Sequence, residues 1–198
     1  MSPREELRAN VGPRYRGELH LAFTLTASLG VTAALLAQLR GVRAVELLVV
    51  PGFFVLCCLL EYLEHRYLLH RRQRYADFAF RIHTLEHHRF FTDVDYRPQS
   101  RRDWAFVLFP PRLVVGYLVG FVGLFVLAGQ LISPNVGWLF GATAAGYFFL
   151  YEVVHFGSHF GWLGDHHRVH HRTERMTEYN FGVVIPLFDW IFGTRLSE

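Results

Sequence analysis

Eleven of the twelve histidines fall into four short groups, and imidazole is a side chain that both binds metals and moves protons. The groups occupy residues 65–70, 83–88, 155–159 and 166–171. A single pair of histidines one helical turn apart is often incidental. Four such groups in one chain instead indicate a shared metal site, because many buried imidazoles without metal would leave donors and acceptors unsatisfied. Ten imidazoles exceed what one ion accommodates, so we expect two metal ions.

The spacing within the groups suits metal ligation. Three pairs are four residues apart, which places both side chains on one face of a helix: His83/His87, His155/His159 and His167/His171. His65 and His70 are five residues apart, about 140° around an ideal helix. They therefore converge only at a helix end or at a π-bulge.

Four glutamates near these groups could orient imidazole N–H groups or bind metal directly: Glu61, Glu64, Glu86 and Glu152. Soluble di-iron bundles use two Glu-x-x-His pairs, and this chain offers only one, at Glu152 and His155. We therefore favour an orienting role. Direct ligation by Glu61, Glu64 or Glu152 stays open.

Long apolar segments must position these groups. The chain of 198 residues is 52% hydrophobic and only 19% charged, and the excess lies in blocks long enough to cross a bilayer. We predict four spans: Leu19–Leu39, Ala44–Leu63, Leu113–Ile132 and Val136–Val154. Pro51 and Gly52 predict a kink in the second span. Small residues every four positions predict close helix packing at Gly116, Gly120, Gly137, Gly141 and Ala145.

The distribution of arginine predicts the orientation of the spans. Seventeen of the 20 basic residues, all of them Arg, lie in the N-terminus, the 64–112 loop and the 155–198 tail, with Arg112 at the boundary left out of the count. These three segments share one side of a four-span protein. The positive-inside rule places that side in the cytoplasm. We predict one all-α domain, residues 1–198, with a cytoplasmic helical cap of 64–112 and 155–198, helical over 75–88 and 155–172. A bacterial inner membrane is favoured over the endoplasmic reticulum.

The motifs HxxxxH, HxxxHH, HxxxH and HxxHH, in this order beside four spans, resemble the fatty acid hydroxylase/sterol desaturase superfamily. The tail segments Asn180–Gly182 and Phe188–Thr194 are similar to that family's closing segment. The resemblance implies these metal ligands: His65, His70, His83, His87, His88, His155, His159, His167, His170 and His171. The second motif has three residues before its His pair where many members have two, which puts His83 in doubt. His166 also lies four residues before His170, but His167 gives HxxHH.

The resemblance also implies the chemistry. Members of this family use two iron ions and O₂ to hydroxylate or desaturate an unactivated C–H bond. We therefore expect two iron ions here, with zinc as an alternative occupant in purified protein. The expected substrate is a membrane lipid, first a fatty acyl or sphingolipid chain, with carotenoids and sterols as alternatives. No catalytic residues beyond the ligands are expected, nor any nucleic-acid partner.

Electrons should come from a separate ferredoxin- or cytochrome b5-type donor, because no haem, flavin or iron–sulfur motif occurs in the chain. Five arginines could dock an acidic donor or contact anionic lipid: Arg71, Arg72, Arg74, Arg101 and Arg102.

Two other classes fit the histidines less well. A metal transporter or sensor would place ligands at mid-membrane depth, whereas these histidines lie beyond the ends of the spans. A bis-histidine haem protein needs facing histidines within the spans, where only His20 begins to qualify.

Overall fold

The computed structural model describes residues 2–163, 166–172 and 174–196, and every regular element in these ranges is helical. Within these ranges there are eleven α-helices: α1 Pro3–Ala9, α2 Gly17–Leu36, α3 Ala44–Leu47, α4 Val49–Glu64, α5 Asp77–Phe80, α6 His88–Phe90, α7 Pro111–Gly116, α8 Val122–Gln130, α9 Pro134–His159, α10 His166–His170 and α11 Leu187–Ile191. A 3₁₀-helix covers Arg101–Phe106, and π-helical turns cover His65–Leu69, Arg81–His87 and Tyr117–Phe121. The predicted all-α class is confirmed.

In the described part of the chain, four helical stretches are long and apolar enough to cross a membrane, which confirms the predicted number. They are Gly17–Leu36, Ala44–Leu69, Arg101–Gln130 and Pro134–His159. The second runs six residues, and the fourth five, further toward the C-terminus than the apolar pattern alone indicates. Both extensions carry histidines, which end an apolar run but do not end a helix.

The second stretch is interrupted just before its proline. Helix α3 ends at Leu47 and α4 begins at Val49, so the break falls at Leu48 instead of at Pro51 and Gly52. The pyrrolidine ring of proline clashes with the carbonyl four residues earlier, which here belongs to Leu47. The predicted distortion is therefore displaced toward the N-terminus of the stretch.

The chain divides into two compact units. One, called here the histidine unit, comprises the described parts of Met1–Glu18, Cys58–Leu108 and Val154–Glu198. The other, called here the apolar unit, comprises Leu19–Cys57 and Phe109–Val153. All ten predicted metal ligands belong to the histidine unit.

Aromatic rings and glycines pack the apolar unit. The Phe53 ring stacks on Phe140, with centroids 4.3 Å apart, and meets the edge of Phe125 at 4.8 Å. A Cβ atom on Gly129 would lie 2.6 Å from the Cα of Gly137, so these two backbones need glycine to approach.

Among the small residues predicted to pack closely, two do not. A Cβ on Gly141 would lie 2.4 Å from a methyl of Val126, as expected for close packing. A Cβ on Gly116 or Gly120 would meet no atom within 4 Å, so the prediction is wrong there. Both glycines adjoin or belong to the π-helical turn Tyr117–Phe121. A small-residue row assumes one regular helix, and that turn interrupts the regularity.

The 155–172 segment is not one helix. Helix α9 ends at His159 and α10 begins at His166, with Gly161 at φ +73° between them. Positive φ is readily adopted by glycine and ends the helix. Residues 164 and 165 lie outside the described residues. The predicted helix over 75–88 is found as α5, a π-helical turn and α6, from Asp77 to Phe90.

Candidate metal centre

Two π-helical turns set the direction of five histidines. His65 opens the turn His65–Leu69 and His70 follows it, so the wider i→i+5 turn brings their rings to 5.1 Å, stacked at 25°. This is the convergence that the five-residue spacing required. The second turn, Arg81–His87, places the Nε2 atoms of His83 and His88 3.0 Å apart.

Helices α9 and α10 supply the other five histidines. His155 and His159 lie in the last two turns of α9, and His167 and His170 lie in α10, with His171 directly after it. All ten predicted ligands are buried, with at most 7% of each residue exposed.

The ten imidazoles form two groups. The ligand atoms of the first group lie within 4.8 Å of one another, and the group comprises His65, His70, His83, His88 and His170. The second group meets the same limit and comprises His87, His155, His159 and His167. His171 adjoins the second group, because its Nε2 atom lies 3.1 Å from Nε2 of both His87 and His167. Among the described residues, neither group contains a carboxylate or a cysteine.

The grouping differs from the simple helical pairing. His83 and His87 are four residues apart, yet His83 belongs to the first group and His87 to the second. His83 pairs instead with His88, five residues on, because the intervening turn is π-helical. His83, whose motif departs from the family spacing, lies in the first group, and His167, the choice that gives HxxHH, lies in the second. His166 lies apart, with Nε2 3.6 Å from the Asp189 carboxylate.

Backbone carbonyls fix which nitrogen of each ring carries the proton. Five Nδ1 atoms lie 2.5–3.0 Å from a carbonyl oxygen: His65 to Phe181, His87 to Phe106, His159 to Tyr96, His170 to Tyr179 and His171 to Phe91. A carbonyl only accepts hydrogen bonds, so each of these Nδ1 atoms donates. Each Nε2 atom of a neutral ring then carries a lone pair and faces the interior of its group.

These lone pairs face one another without hydrogen atoms between them. Nε2 of His87 and Nε2 of His171 are 3.1 Å apart, and neither can donate to the other. Nε2 of His159 is buried and has no hydrogen-bond partner. Nitrogen ligands about 2.1 Å from one metal ion, at right angles, would be about 3 Å apart. The donor set therefore fits a metal ion in each group.

Burial keeps the imidazoles neutral, which is the form that binds metals. Desolvation, together with positive charge on neighbouring imidazoles, lowers the pKa of His70 to about 2. Desolvation likewise lowers the pKa of His87 to about 4. The same cause holds the pKa of five more histidines well below the usual value: His83, His88, His167, His170 and His171.

Two of the glutamates accept hydrogen bonds from backbone amides. Oε1 of Glu61 accepts hydrogen bonds from the amides of Val183 and Val184. Glu64 and Glu86 are exposed, and Oε1 of Glu152 accepts from the amide of Phe109 at 3.4 Å. Backbone carbonyls take the predicted role, since they hold an N–H without bringing a charge that burial would penalise.

The closing segment 179–194 supplies two of these carbonyls. Asn180 adopts φ +60°, and its side chain donates to the carbonyls of His166 and Leu196 at 3.3 and 2.9 Å. The carbonyls on either side of it, at Tyr179 and Phe181, hold rings of the first group. The segment 179–182 thus helps to hold the histidine rings through its backbone, a role that its sequence did not predict.

Asp189 anchors the same segment. Its buried carboxylate accepts hydrogen bonds from the amides of Phe181 and Gly182 at 2.9 and 2.7 Å, and from the Thr194 hydroxyl at 2.8 Å. The carboxylate therefore fixes the peptide whose carbonyl holds His65.

A buried arginine near the N-terminus supports the second group, and sequence analysis did not single it out. Arg4 donates to the carbonyls of Asp95 and Arg97 at 2.9 and 2.6 Å and to the Asp103 carboxylate at 3.2 Å. These carbonyls flank Tyr96, whose own carbonyl holds His159. An arginine in a polar terminal segment gives no sequence signal of burial.

Two of the five arginines proposed for docking are already paired. Arg72 forms an ion pair with Asp77 at 2.5 Å, and Arg101 forms one with Glu18. Arg102 donates to the carbonyl of Val11 at 2.5 Å. These three guanidiniums therefore already form hydrogen bonds or ion pairs within the chain, which leaves fewer of their N–H groups for a docking partner.

Comparison with known proteins identifies the family. A family model described as fatty acid hydroxylase matches residues 50–194. Fatty acid 2-hydroxylases of Macaca fascicularis and Homo sapiens are each 30% identical over 164 residues, which cover 75% of this chain and 40% of each relative. The Rattus norvegicus enzyme is 29% identical over 172 residues, covering 76% of this chain and 42% of its own length.

The chain thus spans about two fifths of the length of these curated relatives. No solved structure matches it. The family model covers well over half of the chain and includes all four histidine groups. The chain therefore belongs to the fatty acid hydroxylase family.

Proposed function

We propose that this protein is a membrane-bound, iron-dependent oxygenase that hydroxylates an unactivated C–H bond of a fatty acyl or sphingolipid chain. The observation that carries the proposal is the pair of buried imidazole groups whose lone pairs face one another. Family membership supplies the reaction class. The four apolar helices suit a substrate that is itself part of a bilayer.

Each histidine group would hold one iron ion. The first ion would be held by His65, His70, His83, His88 and His170, and the second by His87, His155, His159, His167 and His171. Imidazole ligands alone do not choose between iron, zinc, copper and nickel, so iron rests on the family. Bound iron would supply the reduction of O₂ and the oxidation of the C–H bond.

The protein's own part is to fix and shield the ligands. Backbone carbonyls at Nδ1 hold the rings in one tautomer and one orientation, with Nε2 toward the metal. Burial excludes water from the ten rings. A site that is dry and rigid keeps a reactive oxidant directed at the substrate. No further catalytic side chain is required by this scheme.

Electrons would come from a separate ferredoxin- or cytochrome b5-type protein. The arginine distribution favours a cytoplasmic location for both termini and for the metal site. We place the protein in a bacterial inner membrane. On this view residues 1–198 form one domain, whose cap comprises 64–112 and 155–198.

Lipid analysis of cells that express the protein tests the proposal. Mass spectrometry of total lipids should reveal acyl chains that have gained one oxygen atom. Carotenoids or sterols with added oxygen would instead assign the alternative substrates. The His88→Ala variant should abolish the product, because it removes a ligand of the first group.

His20→Ala is the matched control. His20 is also a buried histidine, but its Nε2 atom lies 2.8 Å from the Phe109 carbonyl, in the apolar unit. Its replacement should leave the product in place. Oxidised lipid made equally by His88→Ala would refute the assigned site, and no oxidised lipid from any variant or the wild type would refute the activity.

A further inference from the structure

Arg66 lies between the two ligands of the first motif and is enclosed by aromatic rings. Its guanidinium carbon is 5.4 Å from the centre of the Tyr67 ring, 5.6 Å from that of Phe181 and 5.8 Å from that of Tyr62. The side chain is partly buried, at the end of the apolar stretch Ala44–Leu69. An arginine at the end of a membrane span places its charge at the level of lipid head groups.

The Arg66 guanidinium makes few hydrogen bonds within the described residues. It donates from one terminal nitrogen to the Tyr62 hydroxyl at 2.5 Å, while its Nε atom is buried and has no hydrogen-bond partner. Within the described ranges, no carboxylate forms an ion pair with Arg66. A guanidinium offers five N–H donors in a planar fork that matches a carboxylate or phosphate.

The surrounding charges also favour an anion. The Phe181 ring that packs on Arg66 contacts three rings of the first group, with centroids 5.8 Å from His65, 6.0 Å from His70 and 5.8 Å from His170. Neutral imidazoles would leave the charge of a bound metal uncompensated. Three carboxylates of the same unit are buried, and each already accepts a hydrogen bond from a backbone amide: Glu61, Asp103 and Asp189.

We infer that Arg66 binds the oxyanion of an acyl lipid, either the carboxylate of a fatty acid or the phosphate of a head group. The inference rests on the proposed function in taking this lipid as the substrate. An acyl chain held by its charged end would present carbon atoms near that end to the first histidine group. A purely structural Arg66 would instead support Phe181 and would show no preference for charged lipids.

Displacement of a fluorescent acyl-chain probe from the detergent-purified protein tests the inference. Palmitate is compared with methyl palmitate, and dipalmitoyl phosphatidate with dipalmitoylglycerol. Each pair shares its chains and differs in the oxyanion. We expect the charged member of one pair to bind about tenfold more tightly, and the pair that shows this effect identifies the source of the oxyanion. Inorganic phosphate should weaken that binding and leave the neutral lipid unaffected.

Two variants assign the effect to Arg66. Arg66→Gln should bind charged and neutral lipids equally, with neutral-lipid binding unchanged as the sign that it is folded. Arg175→Gln is the matched control, because exposed Arg175 also lies over a tyrosine ring, that of Tyr179 at 5.6 Å, and its replacement should keep the preference. If Arg66→Gln fails to fold, Arg66→Met decides, since it keeps an unbranched stem among the aromatic rings and removes the charge.

The outcomes separate this inference from the proposed function, since binding needs neither O₂ nor reductant. Equal binding of charged and neutral lipids by the wild type overturns the oxyanion site and leaves hydroxylation standing. A preference that persists undiminished in Arg66→Gln, or in Arg66→Met where that variant decides, removes Arg66 from the site. Failure of every lipid to displace the probe contradicts both.

Discussion

Proton position is the decisive property at the scale of single residues. Because Nδ1 of His87 and of His171 each donate to a carbonyl, their Nε2 atoms face each other as lone pairs at 3.1 Å. Without a cation this contact is repulsive. With a cation it is a pair of ligands, so the ring orientation makes sense as a metal site and not as a hydrogen-bonded core.

The same residues predict how the metal-free protein responds to acid. Burial lowers the folded-state pKa of His70 to about 2 and of His87 to about 4, below the usual value of 6.5. At a pH between the folded-state pKa of each histidine and its usual pKa of 6.5, the unfolded chain binds more protons than the folded chain. The free energy of unfolding therefore falls as the pH falls through this interval. The stabilisation is fully present above about pH 6.5.

Thermal unfolding of the chelator-treated protein in detergent, followed by circular dichroism, measures this dependence. The midpoint should fall steadily from pH 7 to pH 4. A midpoint that stays constant over this range would contradict the buried neutral imidazoles. Iron-loaded protein should resist the early part of the fall, because bound metal competes with protons for Nε2.

The π-helical turn is the decisive feature at the scale of elements. A five-residue spacing does not converge on an α-helix, yet His65 and His70 stack at 5.1 Å because His65–Leu69 is π-helical. Sequence predicted that some such device was needed here. It did not predict the second turn, Arg81–His87, because the four-residue spacing of His83 and His87 already satisfied an ordinary helix.

Deletion of Leu68 tests the first turn. It shortens the spacing of His65 and His70 to four residues and removes the extra residue that a π-turn holds. Metal bound by the first group should be lost, giving about half of the wild-type metal content by elemental analysis, since the second group does not use these rings.

Deletion of Val119 is the matched control for that experiment. It shortens the π-helical turn Tyr117–Phe121, which belongs to the apolar unit and carries no histidine. Folded protein from this deletion should keep its full metal content. Equal metal loss in both deletions would mean that π-turns matter for folding and not for ligand geometry.

At the scale of the whole molecule, distant segments close the site. The carbonyls of Tyr179 and Phe181 hold His170 and His65, and Arg4 fastens the loop that holds His159. The four groups and the four apolar helices could be predicted because hydropathy and spacing are local patterns. The carbonyl partners and the Arg4 contacts could not, because any residue type supplies a carbonyl and Arg4 is polar.

Replacement of Arg4 by Met tests the long-range support. The variant removes hydrogen-bond donors from the Asp95 and Arg97 carbonyls and leaves the buried Asp103 carboxylate with fewer partners. The free energy of unfolding should fall by about 2–3 kcal/mol. Metal in the second group should bind more weakly, measured by competition with a chelator. Arg14 is exposed, so Arg14→Met is the control and should change neither the free energy of unfolding nor the metal affinity. Unchanged metal affinity in Arg4→Met would limit Arg4 to a role in stability.

The most direct measurement of the central claim is the iron content of detergent-purified protein, expressed in iron-supplemented medium and analysed by elemental mass spectrometry. Two groups of five imidazoles predict close to two metal ions per folded chain. His87→Ala and His170→Ala should each lower that value, while His20→Ala should not. One ion or none in folded wild-type protein would contradict the paired site and, with it, the proposed oxygenase.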